Sequence, residues 1–351
     1  MNRGEQALPQ PTTPVPGDEP PGGFVRVEHR APSEPYWHFS IYLPADAVSA
    51  EVGTSLPDFG QTESLARFQV PDVPLDIEVL GHWLEYEIDP ADWLDGELED
   101  LGHRVVSRMR TPTNNGVAGD VVAEWDHEDE TYAGRFMAAK WGPRLFVVAT
   151  RTRASSYAAH ATSCFIAAAS LRPLVSWPNR FAEGVTLVEM SQPFDWSVAI
   201  PSSWDVVEHD PTEDGSWFDA AHQAPCLPDE QAGERDGRLS MAVMTRACAT
   251  SPRDAANVYI RALRDNDVIL DTPRLDDLDV SERFLQGWRI TTAVSRHGAG
   301  GELTCVVLLH EHAWVVAGVL GPTRDDDRDA WMRNRRALDV VIETLELDLS
   351  L

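Results

Sequence analysis

The chain has 351 residues, with 57 Asp and Glu against 29 Lys and Arg, for a formal net charge of −28. So acidic a chain has little with which to hold phosphates or an anionic bilayer surface, which disfavours nucleic-acid and membrane-surface partners. Hydrophobic residues make up 43%, including 12 Trp, enough for substantial cores, and at ~100–200 residues per domain the length fits two domains.

Residues 1–24 are rich in Pro, Gly and acids and read as a flexible tail without a signal-peptide-like apolar stretch. The longest apolar runs, 164–171, 305–309 and 313–320, fall well short of the ~20 residues that span a bilayer. The expectation is a soluble, cytoplasmic chain. Its first domain, 25–174, opens on the alternating strand Phe39-Ser40-Ile41-Tyr42-Leu43-Pro44, followed by a second strand over 75–79. Asp89-Pro90-Ala91-Asp92 then starts a helix carrying Trp93, Leu94, Leu98 and Leu101: a capping acid, Pro at the first helical position, and a second acid in the first turn. Three antiparallel strands over 117–125, 135–139 and 145–149 lead to a helix over 157–169 and a short strand at 170–173.

Residues 175–189, where Trp177, Pro178 and Asn179 interrupt periodicity, read as a linker. The second domain, 190–351, repeats the order. Trp196-Ser197-Val198-Ala199-Ile200-Pro201 matches the opening strand, 239–243 the next, and Ser251-Pro252-Arg253-Asp254 the helix start. Strands over 285–293, 303–307 and 313–317 follow, then a helix over 330–343 and a closing strand at 344–347. Gly119 and Gly287 share an offset of 168 with the strand pair 145–149 and 313–317. The fold class expected is α+β, two repeated domains, each an antiparallel sheet with its two helices on one face.

This order of motifs resembles the Mog1/PsbP-like superfamily, above all its bacterial DcrB-like (DUF1795) branch. The shared features fall on Phe39–Pro44 and Trp196–Pro201, on Gly119 and Gly287, and on Ser170-Leu171 and Thr344-Leu345. They span residues 35–174 and 190–348. The resemblance implies a kinship with Eag-type chaperones of type VI secretion, which look like paired DcrB-like folds shielding apolar helices of an effector. A tandem copy on one chain departs from the single domain of many members. By this reading the chain is a protein-binding chaperone or adaptor, with a structural scaffold subunit as the alternative, and less readily a small-molecule-binding protein or hydrolase.

Signals for chemistry are weak. Zinc-protease, nucleophile-elbow, phosphate-loop and dinucleotide motifs are absent, so no catalytic residue, cofactor or metal is assigned. Gly298-Ala299-Gly300-Gly301 reads as a hairpin turn. His310-Glu311-His312 would place two imidazoles on one strand face, without a third ligand nearby in sequence. Cys226 lies in an insertion over 213–237 near His222. Cys164, Cys226, Cys248 and Cys305 read as free thiols. Clusters such as Asp325–Asp327 with Asp329 read as solvated surface.

The apolar content is more informative. Alternating positions on an exposed sheet face would form a groove for a partner's apolar helix or extended segment. The candidates are Tyr42, Ile77, Val79, Trp125, Met137, Ala199, Met241, Met244, Trp288 and Val307.

Overall fold

Strands that are apolar on both sides must be covered on both sides, and a computed structural model shows how each sheet achieves it. It describes residues 17–31, 34–51, 59–113, 116–222, 237–265, 268–271, 274–280, 282–296 and 299–348. Most of the expected tail, Cys226 and Gly298 lie outside these. The chain divides into two compact units between Ala182 and Glu183.

The first unit runs β1 (Phe24–His29), β2 (Phe39–Pro44), β3 (Val48–Ala50), β4 (Glu63–Val70), β5 (Leu75–Trp83), α1 (Pro90–Asp100), β6 (Arg104–Thr113), β7 (Gly116–His127), β8 (Glu130–Trp141), β9 (Arg144–Arg153), α2 (Tyr157–Ser170) and β10 (Arg172–Pro173). A seven-stranded antiparallel sheet has the order β3-β4-β5-β9-β8-β7-β6, and a small sheet the order β1-β2-β10. Helix α1 starts as its sequence dictates: the Asp89 carboxylate accepts from the Ala91 N–H at 2.7 Å, and Pro90 follows the cap. It lies so close to β7 that a Cβ on Gly119 would fall 2.6 Å from the Ala91 Cα, which only glycine avoids.

The two helices cover opposite faces, not one. On β5, Ile77 and Val79 join the cluster beneath α2 with Tyr157, Ala161 and Cys164. His82, of opposite parity, stacks on Trp93 of α1 at 6.3 Å. Period-two patterning cannot separate these faces when both are apolar.

Several charges lie inside. Asp120 on β7 and Arg135 on β8, 4% and 2% exposed, form a bidentate pair at 2.8 and 2.5 Å. The guanidinium also lies over the Phe165 ring of α2, 4.6 Å from its centroid. On the α1 face of β4, β5 and β9, Asp76 accepts from Arg151 at 2.7 Å, Gln69 at 2.8 Å and Arg67 at 3.2 Å. Burial alone would raise the Asp76 pKa, but these donors together hold it below its ordinary value.

The expected linker over 175–189 is largely structured. Arg144 donates to the Tyr36 and Val175 carbonyls at 2.5 and 2.9 Å. Glu87, buried and paired with Lys140, accepts from the Ala182 N–H at 2.6 Å. Residues 175–182 are thus fastened to the first unit, and a strand begins at Val185.

The second unit runs β11 (Val185–Met190), β12 (Asp195–Pro201), β13 (Trp204–Pro211), β14 (Gly215–His222), β15 (Arg238–Thr245), α3 (Pro252–Asp265), β16 (Val268–Leu270), β17 (Arg274–Leu278), β18 (Gln286–Arg296), β19 (Ala299–Leu309), β20 (Ala313–Gly321), α4 (Arg328–Thr344) and β21 (Glu346–Asp348). Its main sheet has the order β13-β14-β15-β20-β19-β18-β16, with β17 also paired to β18, and its small sheet the order β11-β12-β21. The Ser251 hydroxyl accepts from the Asp254 N–H at 3.1 Å at the start of α3. Helix α3 packs on β16, β19 and β20, and α4 on β12, β15 and β20. They too take opposite faces: Gly318 lies under Tyr259 of α3, whereas Ala317 and Val319 belong to the core with Leu338 and Val341 of α4.

One device recurs. At the end of α2 the Ser170 hydroxyl accepts from the Tyr42 N–H of β2 at 2.8 Å. At the end of α4 the Thr344 hydroxyl accepts from the Ala199 N–H of β12 at 3.0 Å.

Replacing Asp120 with Ala leaves Arg135 charged and buried, so urea unfolding of the full chain is expected to show a loss of about 3–5 kcal/mol in the stability of the first unit. An unchanged midpoint contradicts that burial. Because the Asp76 pKa is depressed in the folded state, its stabilisation is present above the unfolded value and lost as pH falls through the folded one. Asp76→Asn should therefore destabilise the protein at pH 7, with the gap to wild type closing as pH drops below 3.8. A gap independent of pH argues against the carboxylate as the stabilising species.

Candidate functional site

Helix α3 makes its main contacts with β16, β19 and β20, toward one side of the sheet. A cleft of about 600 Å³ opens between α3 and strands β13, β14 and β15, a volume in the range of ligand and side-chain pockets. Its apolar lining comes from Trp217 on β14, Ala242 and Met244 on β15, Val316 on β20, and Val258 and Tyr259 on α3.

Polar groups lie at its inner end. Arg238 donates to Asp219, which is buried. Tyr259 is 8% exposed, and its hydroxyl, lying over Gly318, has no hydrogen-bond partner among the described residues. Burial, with smaller contributions from Cys305 and Asp219, pushes its pKa well up, and nearby Ser240 offsets only part of this. The Tyr259 hydroxyl thus stays a neutral donor and acceptor.

The outer rim is acidic. Register pairs Asp205 with Ala221, Glu208 with Asp219 and Asp210 with Trp217. Directly opposed residues share a face, so Asp205, Glu208 and Asp210 stand on the cleft side of edge strand β13. Asp214, in the β13–β14 turn, also lines the cleft. A bulge between Val206 and Glu208 and a terminal Pro211 blunt the edge. Cys248 sits at the mouth, its Sγ 3.3 Å from the Asp214 carbonyl and 3.3 Å from the Thr245 hydroxyl.

The first unit fills the matching half of its sheet differently. On β4, β5 and β9 that face carries the Arg67–Asp76–Arg151 network instead of small and apolar side chains.

Of the ten positions expected to form a groove, Ile77, Val79, Met241 and Val307 are core residues, at most 1% exposed. Tyr42 packs against Phe165, Ile166 and Ala169 of α2, and Ala199 is 8% exposed. Trp125 is half-buried and stacked on His103 at 4.6 Å. Met137 borders a small void of about 60 Å³ under α2. Trp288 packs toward Trp314 beneath α3. Only Met241 and Met244 of the ten border the cleft. Ala242, Trp217, Tyr259 and Asp219 were missed as site residues. Their signal was the small pair Ser240 and Ala242, in a strand that otherwise reads as core.

Other candidates for chemistry are dispersed. His310 and His312 occupy the β19–β20 turn, where the His310 N–H donates to the Ala313 carbonyl at 2.9 Å. No group of three His, Cys, Asp or Glu able to hold a metal occurs among the described residues. Burial pushes the Cys164 thiol up to about 11 and the Cys305 thiol up to about 12, far from a nucleophile's range. Among the described residues no helix is long and apolar enough to cross a membrane.

No protein-family profile and no curated protein matches the chain. Solved structures do. Cyanobacterial PsbP (CyanoP) from Synechocystis sp. PCC 6803 is 9% identical, with a TM-score of 0.34, over 45% of this chain and 96% of that one. The Ran-binding protein Mog1p of Saccharomyces cerevisiae is 8% identical, TM-score 0.32, over 47% and 96%. The type VI secretion immunity protein TplEi of Pseudomonas aeruginosa, in complex with an "L" peptide, is 13% identical, TM-score 0.24, over 93% and 98%.

A cleft lined by Trp217, Ala242 and Val258 should take up a neutral apolar dye. Nile red is expected to brighten with the wild-type chain and not with Ala242→Trp, which fills the cleft. Equal fluorescence from both, with unchanged unfolding midpoints, would place the dye elsewhere.

Proposed function

We propose that the chain is a non-catalytic, cytoplasmic chaperone or adaptor built from two Mog1/PsbP-like copies. Its second copy receives an apolar segment of a protein partner, of the kind a secreted effector presents. The tandem reading is supported by the shared strand path, β4-β5-β9-β8-β7-β6 beside β14-β15-β20-β19-β18-β16, and by the hydroxyl of Ser170 or Thr344 on the corresponding N–H of Tyr42 or Ala199.

The observation that carries the binding role is the apolar cleft beside α3. Burying partner side chains against Trp217, Ala242 and Val258, the apolar lining residues with surface to offer, yields roughly 25 cal/mol per Å² removed from water. Sheet and helix backbones hold these side chains in place before the partner arrives, which limits the ordering cost of binding. The cleft's one thiol contacts a carbonyl and a hydroxyl, not a general base, which favours binding over nucleophilic catalysis.

A photo-crosslinking amino acid at position 217, introduced in the producing cell, tests this. The expected product joins the chain to one polypeptide, at an apolar segment identified by mass spectrometry, and disappears when Ala242→Trp is added. Crosslinks only within the chain, or ones that persist with the cleft filled, defeat the proposal.

A further inference from the structure

If the cleft seats a protein segment, its charge says which kind. We infer that the second unit's cleft selects a cationic amphipathic helix, whose apolar stripe enters the cleft and whose Lys or Arg side chains meet the carboxylates of β13. This rests on the protein-binding reading and names the partner's chemistry.

The distribution of charge within the site carries the inference. Glu208 and Asp214 line the cleft, Asp205 and Asp210 flank Glu208 on the same face of β13, and among the described residues none of the four forms an ion pair, while the one arginine of the lining, Arg238, is already paired to Asp219. An anionic segment would meet four like charges; a basic one gains steering and selectivity at the rim. Glu208 and Asp210 stand two residues apart on one strand face, about 6–7 Å, close to the 5–6 Å between side chains at i and i+4 of a helix. A helix suits the site better than an added strand, because the bulge and Pro211 interrupt the free edge of β13.

The second, independent sign of a ligand is Tyr259. Its hydroxyl is more than nine-tenths buried, belongs to the cleft lining and has Ser240 beside it without a well-formed hydrogen bond, a state that costs stability until something completes it. The last turn of a docked helix brings free main-chain carbonyls, and one of these can accept from the Tyr259 hydroxyl at the cleft's inner end.

The test uses the full chain and two synthetic peptides of about four helical turns. One has leucines along one face and lysines elsewhere; in the other every lysine is glutamate. The Leu/Lys peptide should bind and the Leu/Glu peptide should not. Neutralising the rim with Asp205→Asn, Glu208→Gln, Asp210→Asn and Asp214→Asn should weaken Leu/Lys binding about fourfold or more and flatten its salt dependence, four rim pairs at ~0.2–1 kcal/mol each. A control with the exposed residues changed as Asp277→Asn, Asp279→Asn, Glu282→Gln and Asp325→Asn removes equal charge away from the cleft and should shift affinity much less. Tyr259→Phe should weaken binding without lowering the unfolding midpoint.

Equal loss in rim and control variants means attraction to the net charge alone and overturns the inference. Equal binding of both peptides, blocked by Ala242→Trp, also overturns it while leaving protein binding intact. If neither peptide binds but Nile red still does, the cleft is a small-molecule site and the inference fails together with the reading beneath it.

Discussion

A helix with its side chains is about 10–12 Å across, and neighbouring strands lie about 4.8 Å apart. One helix therefore shields two or three strands, and a sheet of seven or more needs further cover on every face it buries. Much of this protein follows from that mismatch of widths. On one face of each main sheet the cover is a helix together with a small sheet, α2 with β1-β2-β10 and α4 with β11-β12-β21. On the other face a single helix sits toward one side, and the remaining strands must manage without it.

The two units manage differently. In the first, Asp76 with Arg67, Gln69 and Arg151 makes the uncovered half polar and internally paired. In the second, the same half is small and apolar at its centre and acidic at its outer strand. Apolar surface left open to water is costly to keep and usually marks a contact surface. A charge network leaves a partner fewer unmet demands, since its donors and acceptors already satisfy one another. The proposed binding role rests on this asymmetry, and nothing in the overall strand path points to it.

Helix starts were legible because their signals are local. Asp89-Pro90 and Ser251-Pro252 both begin helices, and the closing helices fall within a few residues of the expected spans. The α+β class and the antiparallel strands followed from alternation and from the turns between them. What sequence could not supply was the side of the sheet. Leu145 to Ala149 and Ala313 to Ala317 are apolar at every position and buried throughout, so neither face is marked. Expected groove residues such as Ile77 and Val307 became core for that reason, and the helices separated to opposite faces. Among 57 carboxylates, Asp120 carries no local mark of burial, because its partner Arg135 lies on the next strand of a hairpin. The cleft is less legible still: Trp217, Ala242, Val316 and Tyr259 meet only once β14, β15, β20 and α3 take their places.

The hydroxyls of Ser170 and Thr344 carry a consequence for motion. Each joins the last turn of a helix to the central strand of a small sheet, and that helix is itself packed on the main sheet. The small sheet thus has no hinge of its own: peeling it away strands a buried hydroxyl and amide and exposes the helix together. In hydrogen exchange the Tyr42 and Ala199 amides should belong to the slowest class, exchanging when the whole unit opens and not through local fraying. In each unit the small sheet and the helix it is tied to therefore move as one piece.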